Sequence, residues 1–206
     1  MPTLHGVSAS PYVRKVQAVL NTKSIHYTIN PIIPFGEKSE LLSLNPLGKI
    51  PVYQNDEVTL GDSSVICAYL EKNHPDTPLY PTDATEYANA LWLEKYADTH
   101  LTPSLGTIFF QRVLNPKMFG TPTDEEAVAK VVNGDAPIIF DYLETQLGNN
   151  AYFVANTLSI ADFAIASPFV NAAAGGLKVD GARWPNLAAF VSQMFANPTF
   201  NEKILL

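Results

Sequence analysis

Cys67 is the only cysteine in 206 residues, so no internal disulfide can form and an internal Cys-x-x-Cys redox couple is excluded. A reducing compartment suits such a chain. Basic residues are also scarce, at 13 against 20 acidic ones, for a net charge of −7. They form no Lys/Arg cluster of the kind that tracks phosphates, and nucleic acid is not an expected partner. Four histidines, His5, His26, His74 and His100, stand far apart without a second ligand at metal-binding spacing, so no metal is expected. No apolar run reaches the ~20 residues of a membrane span. The nearest, IADFAIASPFVNAAAGGL at 160–177, is broken by Asp162, Pro168 and Asn171 and reads as a buried helix of a soluble bundle. The start, MPTLHGVSAS, lacks the basic and apolar pattern of a secretory signal, and the expectation is a cytoplasmic protein without membrane attachment.

What is present is the balance of a globular protein, 47% hydrophobic and 16% charged, long enough for one large domain or two small ones. Residues 1–77 alternate short β runs (TLHGV, IHYTINPII, IPVYQ, EVTLGD) with helical stretches at 11–23, around 38–44 and at 63–73. This reads βαβ then αββα. The first strand pair needs a helical crossover and is therefore parallel, whereas the short turn at NDE closes an antiparallel hairpin. A mixed four-stranded sheet covered by helices is the expected first domain. HPDTPLYPTD marks a linker at 78–85, and 86–206 is read as all-helical, with one helix over 86–114 and another opened by TDEEAVAKVV at a Thr cap.

Four stretches carry chemistry. SPYVRKV (10–16) has the frame of a thiol–disulfide motif with Ser10 and Val13 where the sulfurs would be. NPLGKIPVY (45–53) sets a proline at the start of a β run. GDSSVICAYL (61–70) puts Asp-Ser at a helix start, and LSIADF (158–163) opens a helix with a Ser-x-x-Asp capping box. Together, in order and at similar spacing over nearly the whole chain, they resemble the cytosolic glutathione transferase family in its serine-type form. That resemblance implies a thioredoxin-like first domain followed by an all-α bundle. It also implies glutathione as co-substrate and a homodimer in which the first half of one chain meets the second half of the other.

Carried onto these residues, the resemblance implies a cis Ile50–Pro51 bond whose Ile50 backbone pairs with the cysteinyl unit of glutathione. Asp62 and Ser63, at a helix N-terminus suited to a carboxylate, would hold the γ-glutamyl end. Lys49, with Lys38 as a weaker candidate, would meet the glycyl carboxylate. Asp62 and Ser63 are also ordinary helix caps, and the two roles are compatible. Ser10 is the expected catalytic residue, its O–H donated to the glutathione sulfur. Ser8 and Tyr12 are rival hydroxyls, but in the serine-type classes the hydroxyl stands four positions before the arginine of the first helix, as Ser10 does before Arg14. Arg14 itself is assigned to the fold or the dimer, and Cys67 to the core.

The second substrate is expected to be a small apolar electrophile between the halves, against Tyr12, Phe35, Phe109 and Arg112; helical spacing alone does not choose between Phe109 and Phe110. The leading expectation is a transferase conjugating the glutathione thiolate to such electrophiles. The alternative is a non-catalytic binding or scaffolding module of the same fold.

Overall fold

The computed structural model describes residues 1–36 and 39–200. The described residues form two compact units, one of Met1–Tyr80 joined by residues 198–200, the other of Pro81–Asn197. In the first, the elements run β1 (Thr3–His5), α1 (Pro11–Thr22), β2 (Thr28–Asn30), α2 (Ser39–Leu44), β3 (Val52–Gln54), β4 (Thr59–Gly61) and α3 (Ser63–Asn73). The sheet order is β2-β1-β3-β4, with β1 parallel to β2 and antiparallel to β3, and β3 antiparallel to β4. The parallel crossover and the closing hairpin are those the sequence predicts.

Each strand is three residues long, shorter than its apolar run. Gly6 ends β1 at φ +140, Pro31 follows β2, and Pro51 precedes β3; a proline offers no N–H to a ladder. The hairpin turn is built by Asn55, whose Oδ1 accepts from the backbone N–H groups of Glu57 (3.0 Å) and Val58 (2.8 Å). Leu4, Val13, Val16, Leu20, Ile66 and Leu70 are wholly buried and form the core where α1 and α3 cover the sheet. Cys67 lies in that core, as its position within ICAYL requires.

The unit ends later than the β pattern does because the linker is tied down. Lys23 Nζ meets Glu71 at 2.7 Å and donates to the carbonyls of His74 and Thr77, both at 2.8 Å, while Glu71 accepts from the backbone of Leu79. At the far end of the sequence, Thr199 accepts from Asn21 Nδ2 at 3.0 Å and from Thr22 Oγ1 at 3.1 Å, and Phe200 is buried. These polar contacts have no periodicity and were not legible in the hydrophobic pattern.

The second unit contains α4 (Ala84–Tyr96), α5 (Thr102–Phe109), α6 (Glu125–Lys130), α7 (Ala136–Leu147), α8 (Ile160–Ala174) and α9 (Pro185–Ala196). Wider π-type turns at Ala97–Leu101, Phe110–Phe119 and Val131–Asp135 join α4 to α5, extend α5, and join α6 to α7 without leaving right-handed helical backbone at the junctions. Pro103, Pro116 and Pro137 lie just beyond, inside and just beyond these turns; each removes a donor from the ordinary ladder and the register widens to accommodate it. The segment expected as one helix over 86–114 is thus a continuous helical rod from 84 to 119. The cap ahead of α6 is Asp124, not the expected Thr123: Asp124 Oδ1 accepts from Glu126 and Ala127, and Thr123 donates to the Gln111 carbonyl instead.

Helix α8 is buried from Ile160 to Ala172. Its start is the predicted capping box. The Asp162 carboxylate, wholly buried, accepts from Ser159 N (2.8 Å), Ser159 Oγ (3.0 Å) and Phe153 N (2.9 Å). Burial pushes its carboxyl up to about 6, against the pull of those three hydrogen bonds.

A carboxyl with a raised folded pKa keeps its proton in the folded chain where the unfolded chain, at ~4, has lost it. Its contribution to stability is therefore full below ~4 and declines as pH rises toward about 6. Asp162→Asn removes that titration. Urea unfolding of both proteins at pH 4 to 7 should show the wild-type advantage shrinking by on the order of 2–3 kcal/mol between pH 4 and 6, then levelling. An advantage that holds constant or grows with pH would show that the hydrogen bonds outweigh burial.

Candidate active site

One row of residues across the sheet gathers the site. His5 pairs with Val52 and Val52 with Gly61, so the loop after β1, the loop before β3 and the start of α3 all leave from the same edge. Ser10 follows the first of these, Lys49, Ile50 and Pro51 lie in the second, and Asp62 and Ser63 follow the third. The loops touch: a Cβ on Gly6 would lie 2.7 Å from Val13 Cγ2 and 3.2 Å from Ile50 Cβ, so only glycine lets the loop before β3 approach α1 this closely.

Ser10 is the N-cap of α1, with Pro11 at the first helical position. Its Oγ accepts from Val13 N at a long 3.5 Å, a loose cap that leaves the half-buried hydroxyl free to give its proton elsewhere. No acidic side chain occupies the first turn of α1, so its positive end is not offset from within the helix. Arg14 Nη2 donates to the Ser8 carbonyl at 2.6 Å and so pins the loop that carries Ser10. Arg14 is wholly buried, and burial pulls its guanidinium down to about 9, still charged at neutral pH. Ser8 is 2% exposed and its hydroxyl has no hydrogen-bond partner among the described residues. Tyr12 is half-buried two residues along.

The Ile50–Pro51 peptide is cis. Lys49 is exposed and its carbonyl accepts from Asn45 Nδ2 at 2.8 Å; Asn45 Oδ1 accepts from Leu47 N at 3.0 Å, and Gly48 N donates to the Asn45 carbonyl. Asn45 is 5% exposed and abuts Gly61, where a Cβ would stand 2.8 Å from its Nδ2. It therefore sets the loop before β3 against the strand that leads to Asp62. Asn45 was not among the expected site residues; its one sequence signal is the Asn-Pro-x-Gly turn.

Asp62 caps α3, its Oδ1 accepting from Ser64 N (2.9 Å) and Val65 N (3.3 Å), while its backbone sits at φ 73, unusual for a residue with a side chain. Its side chain is exposed and Ser63 is buried. Such strain is stored where surrounding structure over-determines it, commonly at ligand sites. Lys38 lies outside the described residues.

Of the expected electrophile contacts, Phe35 is exposed. Phe109 is 5% exposed, whereas Phe110 is 39% exposed and packs on Phe119 at 5.6 Å, so the accessible aromatic of the pair is Phe110. Arg112 is engaged within its own unit. It forms a two-pronged pair with Glu125 (3.2 and 2.8 Å) and donates to the Gly175 carbonyl at the end of α8 (3.0 Å), which makes it a helix-joining residue. Among the described residues no group of three or more His, Cys, Asp or Glu could hold a metal ion, and no helix is long and apolar enough to cross a membrane.

Comparison with known proteins agrees with this architecture. The family descriptions "Glutathione S-transferase, N-terminal domain" and "Glutathione S-transferase, C-terminal domain" match residues 4–78 and 96–198. The chain is 31% identical over 202 residues to a probable glutathione S-transferase GSTF2 of Oryza sativa subsp. japonica, covering 95% of this chain and 92% of that one. It is 28% identical to glutathione S-transferase F13 of Arabidopsis thaliana, covering 96% and 92%. It is also 24% identical to elongation factor 1-gamma 2 of Oryza sativa subsp. japonica over 79% of this chain, but only 38% of that protein. A solved structure of glutathione S-transferase-I bound with lactoylglutathione superposes with a TM-score of 0.84 at 23% identity, covering 97% and 96% of the two chains. With both domains matched in order and a relative of this similarity spanning nearly its full length, the chain belongs to the glutathione transferase family and is an enzyme of that family.

Proposed function

We propose that this transferase joins the glutathione thiolate to apolar electrophiles, with the Ser10 hydroxyl holding the thiolate. The observation that carries this reading is the loosely capped, half-buried Ser10 at the N-terminus of α1, beside the three loops that the row His5–Val52–Gly61 brings together. Ile50 would pair with the cysteinyl unit, Asp62 and Ser63 would take the γ-glutamyl end and Lys49 the glycyl carboxylate. A free cysteine thiol titrates near ~8.5, and lowering it by about two units requires roughly 2.7 kcal/mol. One charge-assisted hydrogen bond from Ser10 together with the N-terminus of α1 supplies most of that. The thiol proton leaves to solvent on binding. The sulfur lone pair then forms the S–C bond, and the electrons displaced from the electrophilic carbon depart with its leaving group or move into its conjugated acceptor. Tyr12 and Phe35, both in the first unit, are side chains offered to that electrophile. A reducing, cytoplasmic setting fits both the need for reduced glutathione and the lone buried Cys67.

The similarity to an elongation factor subunit favours a second reading, a glutathione-transferase-like module used for assembly. Glutathione titration followed by a panel of electrophiles separates the two: conjugation supports the first, and no binding at millimolar glutathione supports the second.

A homodimer is part of the proposal. Each unit presents exposed apolar side chains, Leu47 (71%) and Val65 (51%) on the first, Trp92 (56%) and Ile138 (69%) on the second, which a second copy would cover. Sedimentation at micromolar concentration should give a particle of twice 22.5 kDa, and Leu47→Glu should shift it toward the monomer. A wild-type monomer would remove the dimer without touching the active site.

Ser10→Ala should leave glutathione affinity nearly unchanged and lower kcat/KM for a model electrophile by ~10²–10³, the usual cost of one preorganised donor to a developing anion. The thiol pKa of bound glutathione, read from thiolate absorbance, should rise toward its free value. Ser8→Ala is the control and should change neither quantity; the reverse pattern would transfer the role to Ser8. Ser10→Cys should trade conjugation for disulfide exchange on glutathione mixed disulfides: the introduced thiolate takes the glutathionyl group and releases the substrate thiol, and, since Val13 offers no second sulfur, a second glutathione thiolate frees the protein as glutathione disulfide. Wild type that exchanges as fast as that variant would overturn the site assignment.

A further inference from the structure

Asn45 closes α2: its backbone N–H donates to the Leu41 carbonyl and its own carbonyl accepts from Gly48 N, both at 2.8 Å. Its side chain is buried, and both ends of the amide are used. Oδ1 accepts from Leu47 N at 3.0 Å, a turn that an aspartate would make as well; Nδ2 donates to the Lys49 carbonyl at 2.8 Å, which an ionised aspartate cannot do. Gly48, in the left-handed region at φ 59, returns the chain to the amide, so that Lys49 has a fixed main chain and an exposed side chain. The same amide abuts a second strand. A Cβ on Gly61 would stand 2.8 Å from Asn45 Nδ2, and its nearest neighbours would all be atoms of the Asn45 side chain. Gly61 does not have a positive φ, so it is the Asn45 amide, not backbone geometry, that requires glycine there. One buried amide thus touches both the main chain of Lys49 and the strand end that leads into Asp62.

We propose that Asn45 is a positioning residue that sets Lys49 for the glycyl carboxylate of glutathione, taking its reference from the strand end that carries Asp62 and Ser63. A lysine loses much conformational freedom when it holds an anion; a fixed main chain lessens that loss and sets the separation between the receivers of the two ends of the ligand. Ile50 has separate support, since it is buried against Gly6 and is followed by Pro51 and the β3 ladder. Loss of the amide therefore acts on the glycyl end in particular. The inference rests on the glutathione reading above, in which Lys49 takes the glycyl carboxylate.

The test measures, by calorimetry, the affinity of S-hexylglutathione and of its glycinamide analogue, in which the glycyl carboxylate is replaced by an uncharged amide. Wild type should prefer the carboxylate form by about tenfold, and Asn45→Ala should erase most of that preference by weakening S-hexylglutathione while leaving the analogue nearly unchanged. Gly61→Ala, whose Cβ displaces the Asn45 amide, should lower the preference by about threefold although it lies on another strand from Lys49. Added to Asn45→Ala, where the amide is gone, Gly61→Ala should have no further effect. Equal weakening of both ligands in either single variant would show a merely structural role and overturn the proposal. So would a preference unchanged in either variant, a wild type without the preference, or a Gly61→Ala effect as large beside Asn45→Ala as in wild type. Gly61→Ala carries the test should Asn45→Ala fail to fold. Wild type that binds neither ligand would instead overturn the glutathione reading itself.

Discussion

The antiparallel register of β1 on β3 and of β3 on β4 is the constraint from which the site follows. Because His5, Val52 and Gly61 stand in one row, three loops distant in sequence begin at one edge, and their spacing is fixed by main-chain hydrogen bonds. Gly6 and Gly61 then let neighbouring parts meet at distances a Cβ would forbid, against Val13 and Ile50 in one case and Asn45 in the other. A one-residue slip would turn every side chain of a strand to the opposite face and separate the loops. The sheet is small, with strands of three residues, so its register depends on these close contacts as well as on the ladder.

Two helix N-termini border the edge, and each is assembled from a polar cap and a buried cation. Ser10 caps α1 loosely while Arg14 holds the preceding loop through the Ser8 carbonyl; Asp62 caps α3 while Lys15 reaches Ser64. An exposed charge at such a position would contribute a few tenths of a kcal/mol and be screened by salt. Buried, each is held in a fixed geometry by its hydrogen bond, Arg14 to the Ser8 carbonyl and Lys15 to Ser64 Oγ.

The helical unit solves a different problem. Its prolines would break ordinary helices, yet Pro103, Pro116 and Pro137 coincide with wide turns that keep the rods continuous. Around the apolar α8, polar side chains do the joining: Asp162 closes the capping box, Arg112 links the end of α8 to Glu125, and Glu144 on α7 receives the free N–H groups of Asn186 and Leu187 at the start of α9, at 3.0 and 2.7 Å. Arg112, expected at a substrate, is one of these joints. Its chemistry was readable in the sequence, but its partner, 13 residues away, was not.

Local rules determined a good deal. Alternation and turn residues placed the strands and the hairpin, Ser10-Pro11 and Asp62-Ser63 announced helix starts, Ser159-x-x-Asp162 announced a capping box, and the missing cysteines excluded disulfide chemistry within the chain, because each of these depends on residues within one turn or one hairpin. Strand ends, the choice of Asp124 over Thr123 as a cap, the exposure of Phe110 rather than Phe109, the return of Thr199 to α1, the position of Asn45 and the hydrogen bond from Lys15 to Ser64 belonged to the tertiary structure alone. Each turns on a hydrogen bond or a close packing contact between segments far apart in sequence, and such contacts leave no periodic trace in the chain that makes them.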